Sequence, residues 1–461
     1  MPDDNLAEQA SVEVPPEVAV FEREGNLYDE QGRRVWRCGS LIYTRARLAR
    51  LFSILFVGQF TFNLEFVAFP VLLPLLLHSK GMDAGQIGTL LAIIPLGALL
   101  VFPIIGTMSD RTQTRWGRRR PYDFLTTPIW YVGLLMLPFV DSFAAAIIPL
   151  ALISFAGAGS NILNALYNDV VPPELMGRFV AGMRLIGGVG AIFFQAGVLR
   201  FFDDHPVAVF IGISTLAFIV EMGMLILVKE GKYPPPPARK TLMSAVTDYA
   251  KLGFGNRYII LLGFVIGATA LGGPVMGSYF NIYVTSEDVG LGLSSEYLGN
   301  LLAIGTATSM LFLIPAGWLI DRSGPKLLWG AGCAVVGALQ IGLLLAESQS
   351  MLVVVYVLFA AANGVLTATL LPMLFAYLPQ DRFGQLLSAN QIFCRILQII
   401  GAQLSGWVIL WASNDYRYAF VFGGIAYLCT PLFMWLISKT RYPYPGFPPS
   451  ISPNGGRSPG R

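Results

Sequence analysis

Residues 106–121 read Gly106-Thr-Met-Ser-Asp110-Arg111-Thr-Gln-Thr-Arg115-Trp-Gly117-Arg118-Arg119-Arg120-Pro121, and 211 residues after Gly106 the chain reads Gly317-Trp-Leu-Ile-Asp321-Arg322. Each stretch follows a long apolar run, and both share the pattern Gly-x-x-x-Asp-Arg. A second pair recurs at nearly the same offset: Pro173-Glu-Leu-Met-Gly177 and Pro379-Gln-Asp-Arg-Phe-Gly384. Working outward from these loops, twelve apolar runs emerge, at approximately 48–77, 87–108, 122–140, 144–170, 179–201, 208–228, 258–284, 295–320, 327–346, 351–378, 386–411 and 417–438. A helix needs about 20 mostly apolar residues to cross the hydrocarbon core. The expected fold is therefore an all-α polytopic membrane protein, twelve spans in two pseudo-symmetric six-helix bundles. Duplicated bundles around a central site are a recurring plan among carriers.

Composition agrees with this reading. Of 461 residues, 54% are hydrophobic and 13% charged, with mean hydropathy +0.61, whereas soluble domains carry about 25% charged residues. The expected divisions are a cytoplasmic tail over 1–46, a first bundle over 47–228, a cytoplasmic linker over 229–257, a second bundle over 258–438 and a cytoplasmic tail over 439–461. The linker opens with Pro234-Pro235-Pro236-Pro237, a stiff, extended start, and its stretch Thr241 to Leu252 reads as an amphipathic surface helix. Of the 31 Lys and Arg, 26 fall in the tails, the linker and the even-numbered loops. Basic residues near span ends are retained on the cytoplasmic side, so both termini are expected inside a cell (inner or plasma) membrane.

Several classes are disfavoured. Met1 to Arg37 is polar and acid-rich, unlike a secretory signal. Cys38, Cys333, Cys394 and Cys429 lie apart, a pattern of buried, inert thiols and not of a disulfide framework or metal site. With His78 and His205 as the two histidines, a zinc or respiratory membrane enzyme lacks ligands. No enzyme, cofactor, metal or nucleic-acid partner is expected. The anticipated partners are a small solute and the bilayer, and the anticipated state is a monomer.

The loop over 106–121 resembles the signature between spans two and three of the major facilitator superfamily. Its Ser-Asp-Arg…Trp-Gly-Arg-Arg-Arg-Pro form is similar to the glycoside–pentoside–hexuronide:cation symporters and the plant sucrose transporters, as is Gly58-Gln59-Phe60…Pro70…Pro74 in the first span. The resemblance implies alternating access and a sugar-like solute carried with a cation. It also implies that an Arg in the fifth span contacts the solute or its coupling carboxylate. Arg184 is the candidate here, with snorkelling toward the cytoplasm as the alternative.

The residues themselves suggest a gate. Gly106 permits close helix approach, while Asp110, Arg111 and Arg118 can pair with acidic partners. Asp169 is a candidate partner for Arg111 or Arg178, and Asp321, Arg322 and Asp381 are the second-half counterparts. Such pairs would hold the bundles together inside and release on inward opening. The alternative is a solvated basic loop.

Charges within spans cost about 2.5–3.5 kcal/mol each and ask for a reason. Glu65 lies about 21 Å from Leu51 by helical rise, in a core about 30 Å thick. With Asn63 beside it and Pro70 and Pro74 beyond, its helix reads as lining a polar cavity. Desolvation favours the neutral form of a lone carboxyl, which suits reversible protonation or solute binding; a structural Glu neutralised by an Arg is the other reading. Arg395 lies about 15 Å from Gln385, flanked on one face by Gln391 and Gln398. Asn161, Asn164 and Asn168 share one face of the fourth span, suited either to hydroxyl recognition or to interhelical hydrogen bonding. Gly272-Gly273-Pro274 reads as a bending point, and Gly187-Gly188-Val-Gly190 as close packing. Glu221 has no role beyond burial.

Sodium-coupled members of the resembling group carry carboxylates in the second span, and residues 87–108 contain none. Proton coupling through Glu65 is thus expected ahead of sodium. The leading expectation is proton-coupled uptake of a sugar or glycoside. Export of a drug-like or amphiphilic solute, or lipid carriage, is the alternative.

Overall fold

The computed structural model describes residues 20–23, 26–101, 104–105, 108–109, 112, 114–157, 159–231, 257–346, 348–378 and 383–440. Before the linker lie α1 (Arg45–Ser79), α2 (Ala84–Leu100), α3 (Arg120–Met136), α4 (Phe143–Ala156), α5 (Gly159–Val170), α6 (Met176–Ile192) and α7 (Pro206–Leu227). After it lie α8 (Arg257–Pro274), α9 (Phe280–Thr285), α10 (Ser295–Ser323), α11 (Pro325–Gly342), α12 (Gln349–Tyr377), α13 (Phe383–Trp411), α14 (Arg417–Leu428) and α15 (Thr430–Ser438). Nine helical stretches among the described residues are long and apolar enough to cross a membrane; Ala84–Leu100 and Phe143–Ala156 are apolar but shorter. Twelve apolar runs thus do not become twelve unbroken helices. The fourth run is divided near Gly157, the last between Leu428 and Thr430. The linker's prolines and its expected amphipathic helix lie outside the described residues.

Caps and breaks follow local chemistry. The Thr44 hydroxyl accepts from the Arg47 N–H at α1, and Asp83 with Gln86 forms a reciprocal cap at α2. α1 runs unbroken through Pro70 and Pro74, because packed neighbours and adjusted backbone bonds tolerate proline in a span. At Pro274 the helix does widen into a π-helical turn, Val275–Tyr279, at the bending point expected from Gly272-Gly273-Pro274. A second such turn, Phe193–Val198, continues α6. Gly187 and Gly190 let α6 lie directly on Asn63 and the Phe60 carbonyl of α1.

The segment expected to be a tail holds an antiparallel sheet in the order β1 (Val20–Arg23), β2 (Asn26–Asp29), β3 (Arg34–Cys38), β4 (Leu41–Tyr43). Leu27 pairs with Val35, and Trp36 with Tyr43. The Asp29 carboxylate fastens the β2–β3 turn, accepting from the N–H groups of Gln31 and Arg33 at 3.0 and 2.8 Å. Cys38 Sγ donates to the carbonyls of Asp169 and Val171, and Cys38 and Tyr43 join a core with Leu166, Phe179 and Leu225. The sheet therefore docks on the ends of α5 and α7. Its alternating apolar positions are few and lie among charges, so composition hides them.

Before the linker, α1 packs on α6 and α7, and α3 on α4, α5 and α7; after it, α10 packs on α12, α11 on α12 and α14, and α8 on α13 and α15. Between the two segments the chief seam is α2 on α13, followed by α10 on the π-helical continuation of α6. One buried core joins both segments around Leu73, Ile87, Phe280 and Phe420. Three others each stay within one segment.

Candidate functional site

Phe62, Glu65 and Phe66 sit at i, i+3, i+4 on α1 and share one face. They wall a cavity of ≈ 190 Å³ together with Thr126, Thr127 and Trp130 of α3, Ser154 of α4, Glu221 of α7, and Arg395 and Gln398 of α13. Glu65 is 8% exposed, and its Oε1 accepts from the Trp130 indole N–H at 2.8 Å. Trp130 is itself steadied by Phe69, ring centroids 5.7 Å apart. Glu221 accepts from the Thr127 hydroxyl at 3.2 Å. Arg395 donates to Gln398 Oε1 at 2.9 Å. No ion pair joins Arg395 to either carboxylate among the described residues, so both acids face the cavity without a bound cationic side chain. The site thus opposes two carboxylates from one segment to a guanidinium from the other.

Of the residues expected at the site, Glu65 and Arg395 are brought together here. Asn63 is not a lining residue: two positions along a helix turn by about 200°, and its amide packs on Gly187 while donating to the Gln59 carbonyl at 3.1 Å. Arg184 is exposed on α6, one turn from Gly188, which faces Met310 of α10. Asn164 and Gln391 are exposed and do not line the cavity. The side chain of Asn161 lies outside the described residues. Trp130, Thr127 and Glu221 escaped the sequence reading. Asp123, Thr127 and Trp130 recur at i, i+4, i+7 on the third run, a polar stripe that marks Thr127 and Trp130 but not Glu221.

The loop before α3 is braced by charge. Arg118 holds Asp169 through two nitrogens, at 2.8 and 2.5 Å, and Arg119 reaches the same carboxylate at 3.4 Å and Ser109 Oγ at 2.6 Å. Glu230 accepts from the N–H groups of Arg118 and Arg119 at 2.9 and 3.0 Å. Asp169 is bound by Arg118 and Arg119 within its own segment; of its two expected partners, Arg178 is exposed and Arg111 lies outside the described residues. Gly106, Asp110, Arg111 and Asp381 lie outside the described residues. Arg178, Asp321 and Arg322 are exposed, Arg322 lying over the Trp318 ring at 5.2 Å.

The two ends of the molecule differ. At the end bearing Lys80 and Arg200, His78 bonds Ser286 at 3.1 Å, Asp203 binds the Ser295 N–H at 2.8 Å, and Arg200 pairs with Glu296. Nearer the middle, Thr89 bonds Gln403 and Thr306 bonds Gln195, both at 2.9 Å. At the Arg118 end, Arg118 and Arg119 bond Asp169 within one segment.

The sequence matches the Major Facilitator Superfamily over residues 13–195, 55–295 and 276–458, and the chain belongs to that family. It is 27% identical to mouse solute carrier family 45 member 3 over 242 residues, 47% of this chain and 43% of that one, so less than half of that relative's length is matched. It is 22% identical to the MFS transporter asaE of Aspergillus flavus over 335 residues, 71% of each. Among solved structures, the nucleoside transporter NupG superposes with TM-score 0.67 at 15% identity, over 85% of this chain and all of that one. A bacterial homologue of the iron transporter ferroportin in its inward-facing state gives 0.65 at 16%, over 85% of this chain and 100% of that one. These likenesses establish the fold. The protein is a multi-pass membrane carrier of the secondary-active class for small solutes, and not an enzyme.

Proposed function

We propose that the protein takes up a small hydroxylated solute, a sugar or glycoside, together with protons. In this reading twelve spans form two six-span halves, 47–228 and 258–438, with both termini cytoplasmic. The conformation described here is closed outside and open inside. The positive-inside bias supports that orientation, and the seals at the Lys80 end support the closed outer face.

The observation that carries the proposal is Glu65: a buried carboxyl facing a cavity, held by one indole N–H and paired with no cation among the described residues. Ionised, Glu65 and Glu221 attract Arg395 across the cavity and resist the halves parting; protonated, they do not. Arg395, Gln398 and Thr126 present donors and acceptors suited to hydroxyl groups. Asn161, Asn164, Arg184 and Gln391 belong to the solute path in the same reading. With the inner face open, the gate groups Asp169, Arg118 and Arg119 bond within the first half, while Asp321 and Arg322 stay exposed.

The test is a proteoliposome screen of radiolabelled sugars under an imposed pH or Na⁺ gradient. Proton-driven accumulation that vanishes in Glu65→Gln supports the reading. Accumulation driven by Na⁺, or indifferent to Glu65→Gln, overturns it.

A further inference from the structure

Neither Glu221 nor Asp123 has a role that the sequence pattern assigns. Both lie inside the first segment, on a line leading from the Arg118 loop to Glu65. Asp123, Thr127 and Trp130 stand on one face of α3 at i, i+4, i+7, steps of about 6 and 4.5 Å along the axis. Each rung carries an acid: Asp123 itself, Glu221 on Thr127, and Glu65 on Trp130. Asp123 is 1% exposed, and its Oδ2 makes no hydrogen bond among the described residues. The hydroxyl of Tyr167 on α5, also buried, makes none either.

Those two orphaned atoms share a neighbourhood. α3, which carries Asp123, packs on both α5 and α7, and Tyr167 of α5 shares a core with Met224 and Leu225 of α7, one turn from Glu221. Glu221 and Glu65 line the same cavity. Buried polar atoms are rarely left unpaired, and each exception asks for an explanation. A metal site is not that explanation: among the described residues, no three of His, Cys, Asp or Glu converge closely enough to hold an ion. The acids stand in file instead of in a ring.

We propose that Asp123, Tyr167 and Glu221 form an internal proton path that serves Glu65 from the Arg118 end of the first half. It rests on the reading of Glu65 as the proton-binding group. A proton leaves the Glu65 carboxyl for the Glu221 carboxylate through the cavity that both line, whose ≈ 190 Å³ admits water. From Glu221 it passes to the Tyr167 hydroxyl, which yields its own proton to the Asp123 carboxylate, so each hop leaves the hydroxyl as it began. Asp123 is buried, one turn from Arg119, whose carbonyl accepts its N–H and whose own groups bond Ser109 and Glu230. Release to bulk therefore requires that loop to shift, which prevents a standing leak. Arg395 faces only the far end, at the cavity.

The experiment needs no solute. Trp130 touches Glu65, so its emission reports the charge of that group; the signal is isolated from the other indoles, eight tryptophans in all, by subtracting Trp130→Phe. The full chain in nanodiscs is given a light-triggered pH jump. Wild type is expected to respond fast, and Glu65→Gln not at all. Asp123→Asn and Tyr167→Phe should keep the full amplitude but respond roughly 100-fold more slowly, the scale of a lost positioned proton donor. Asp123→Glu should restore the rate. Unchanged rates in both variants mean that Glu65 exchanges directly with cavity water, and the path is refuted while proton binding stands. A response that survives Glu65→Gln refutes the underlying reading instead. If Asp123→Asn fails to fold, Tyr167→Phe, which removes one oxygen, carries the same test.

Discussion

Replacing Gly88 by alanine tests whether the α2–α13 seam holds the conformation described here. A Cβ at position 88 would stand 2.6 Å from the Ala402 carbonyl oxygen and 2.7 Å from the Tyr279 hydroxyl. Carbon–oxygen contacts between helices settle near about 3.3–3.6 Å, so the two helices must part by roughly 0.7–1 Å. A methyl forced into a packed seam costs about 1–3 kcal/mol. The Tyr279 hydroxyl, which donates to the Ala84 carbonyl at 3.0 Å, is displaced as well. That cost falls only on the conformation in which α2 and α13 touch. The equilibrium should therefore move toward the oppositely opened state by about 5–150-fold.

Spin-label distances measure the shift. Asp204→Cys with Glu287→Cys reports the Lys80 end, and Arg178→Cys with Arg322→Cys the other; all four positions are exposed. Cys38, Cys333 and Cys394 are buried, which keeps background labelling low. Gly88→Ala should lengthen the first distance and shorten the second. If both distributions match the parent in a folded, monodisperse sample, the seam does not hold this conformation and the reasoning fails.

Two further outcomes are expected. Asp169→Asn weakens the bracket with Arg118 and Arg119, whose side chains are 22% and 11% exposed; a loss of about 1–2 kcal/mol, in the range of charge-assisted bonds, should lower the thermal midpoint in detergent, and an unchanged midpoint would show that the network bears no load. Cys38 should resist maleimide in the folded protein and react once residues 39–43 are proteolysed away from α5 and α7; prompt labelling of the intact chain would contradict the docked sheet.

Much of the architecture was legible in the residues. Long apolar runs separated by basic loops have few physical solutions, because a backbone in lipid must satisfy its own hydrogen bonds. Glu65 stood out for a related reason: a carboxyl deep in such a run needs a reason to be there. The Gly-rich stretch of α6 was legible as a packing surface, since a glycine between helices admits a neighbouring backbone.

What stayed hidden depends on which helices touch. Trp130 lies 65 positions from Glu65, and Glu221 lines the same cavity from the last span of that segment. Helical periodicity along one span says nothing about the face opposite. The same limit misplaced Asn63, adjacent in sequence but turned to α6. It also hid the partnership of Asp169 with Arg118 and Arg119, and the sheet over 20–43, whose few apolar side chains matter only once α5 and α7 meet them. The chain alone determined that it crosses a membrane and that charges lie within it; only the packing of distant helices decided which charges face one another, because that choice is made by contacts between residues far apart in sequence.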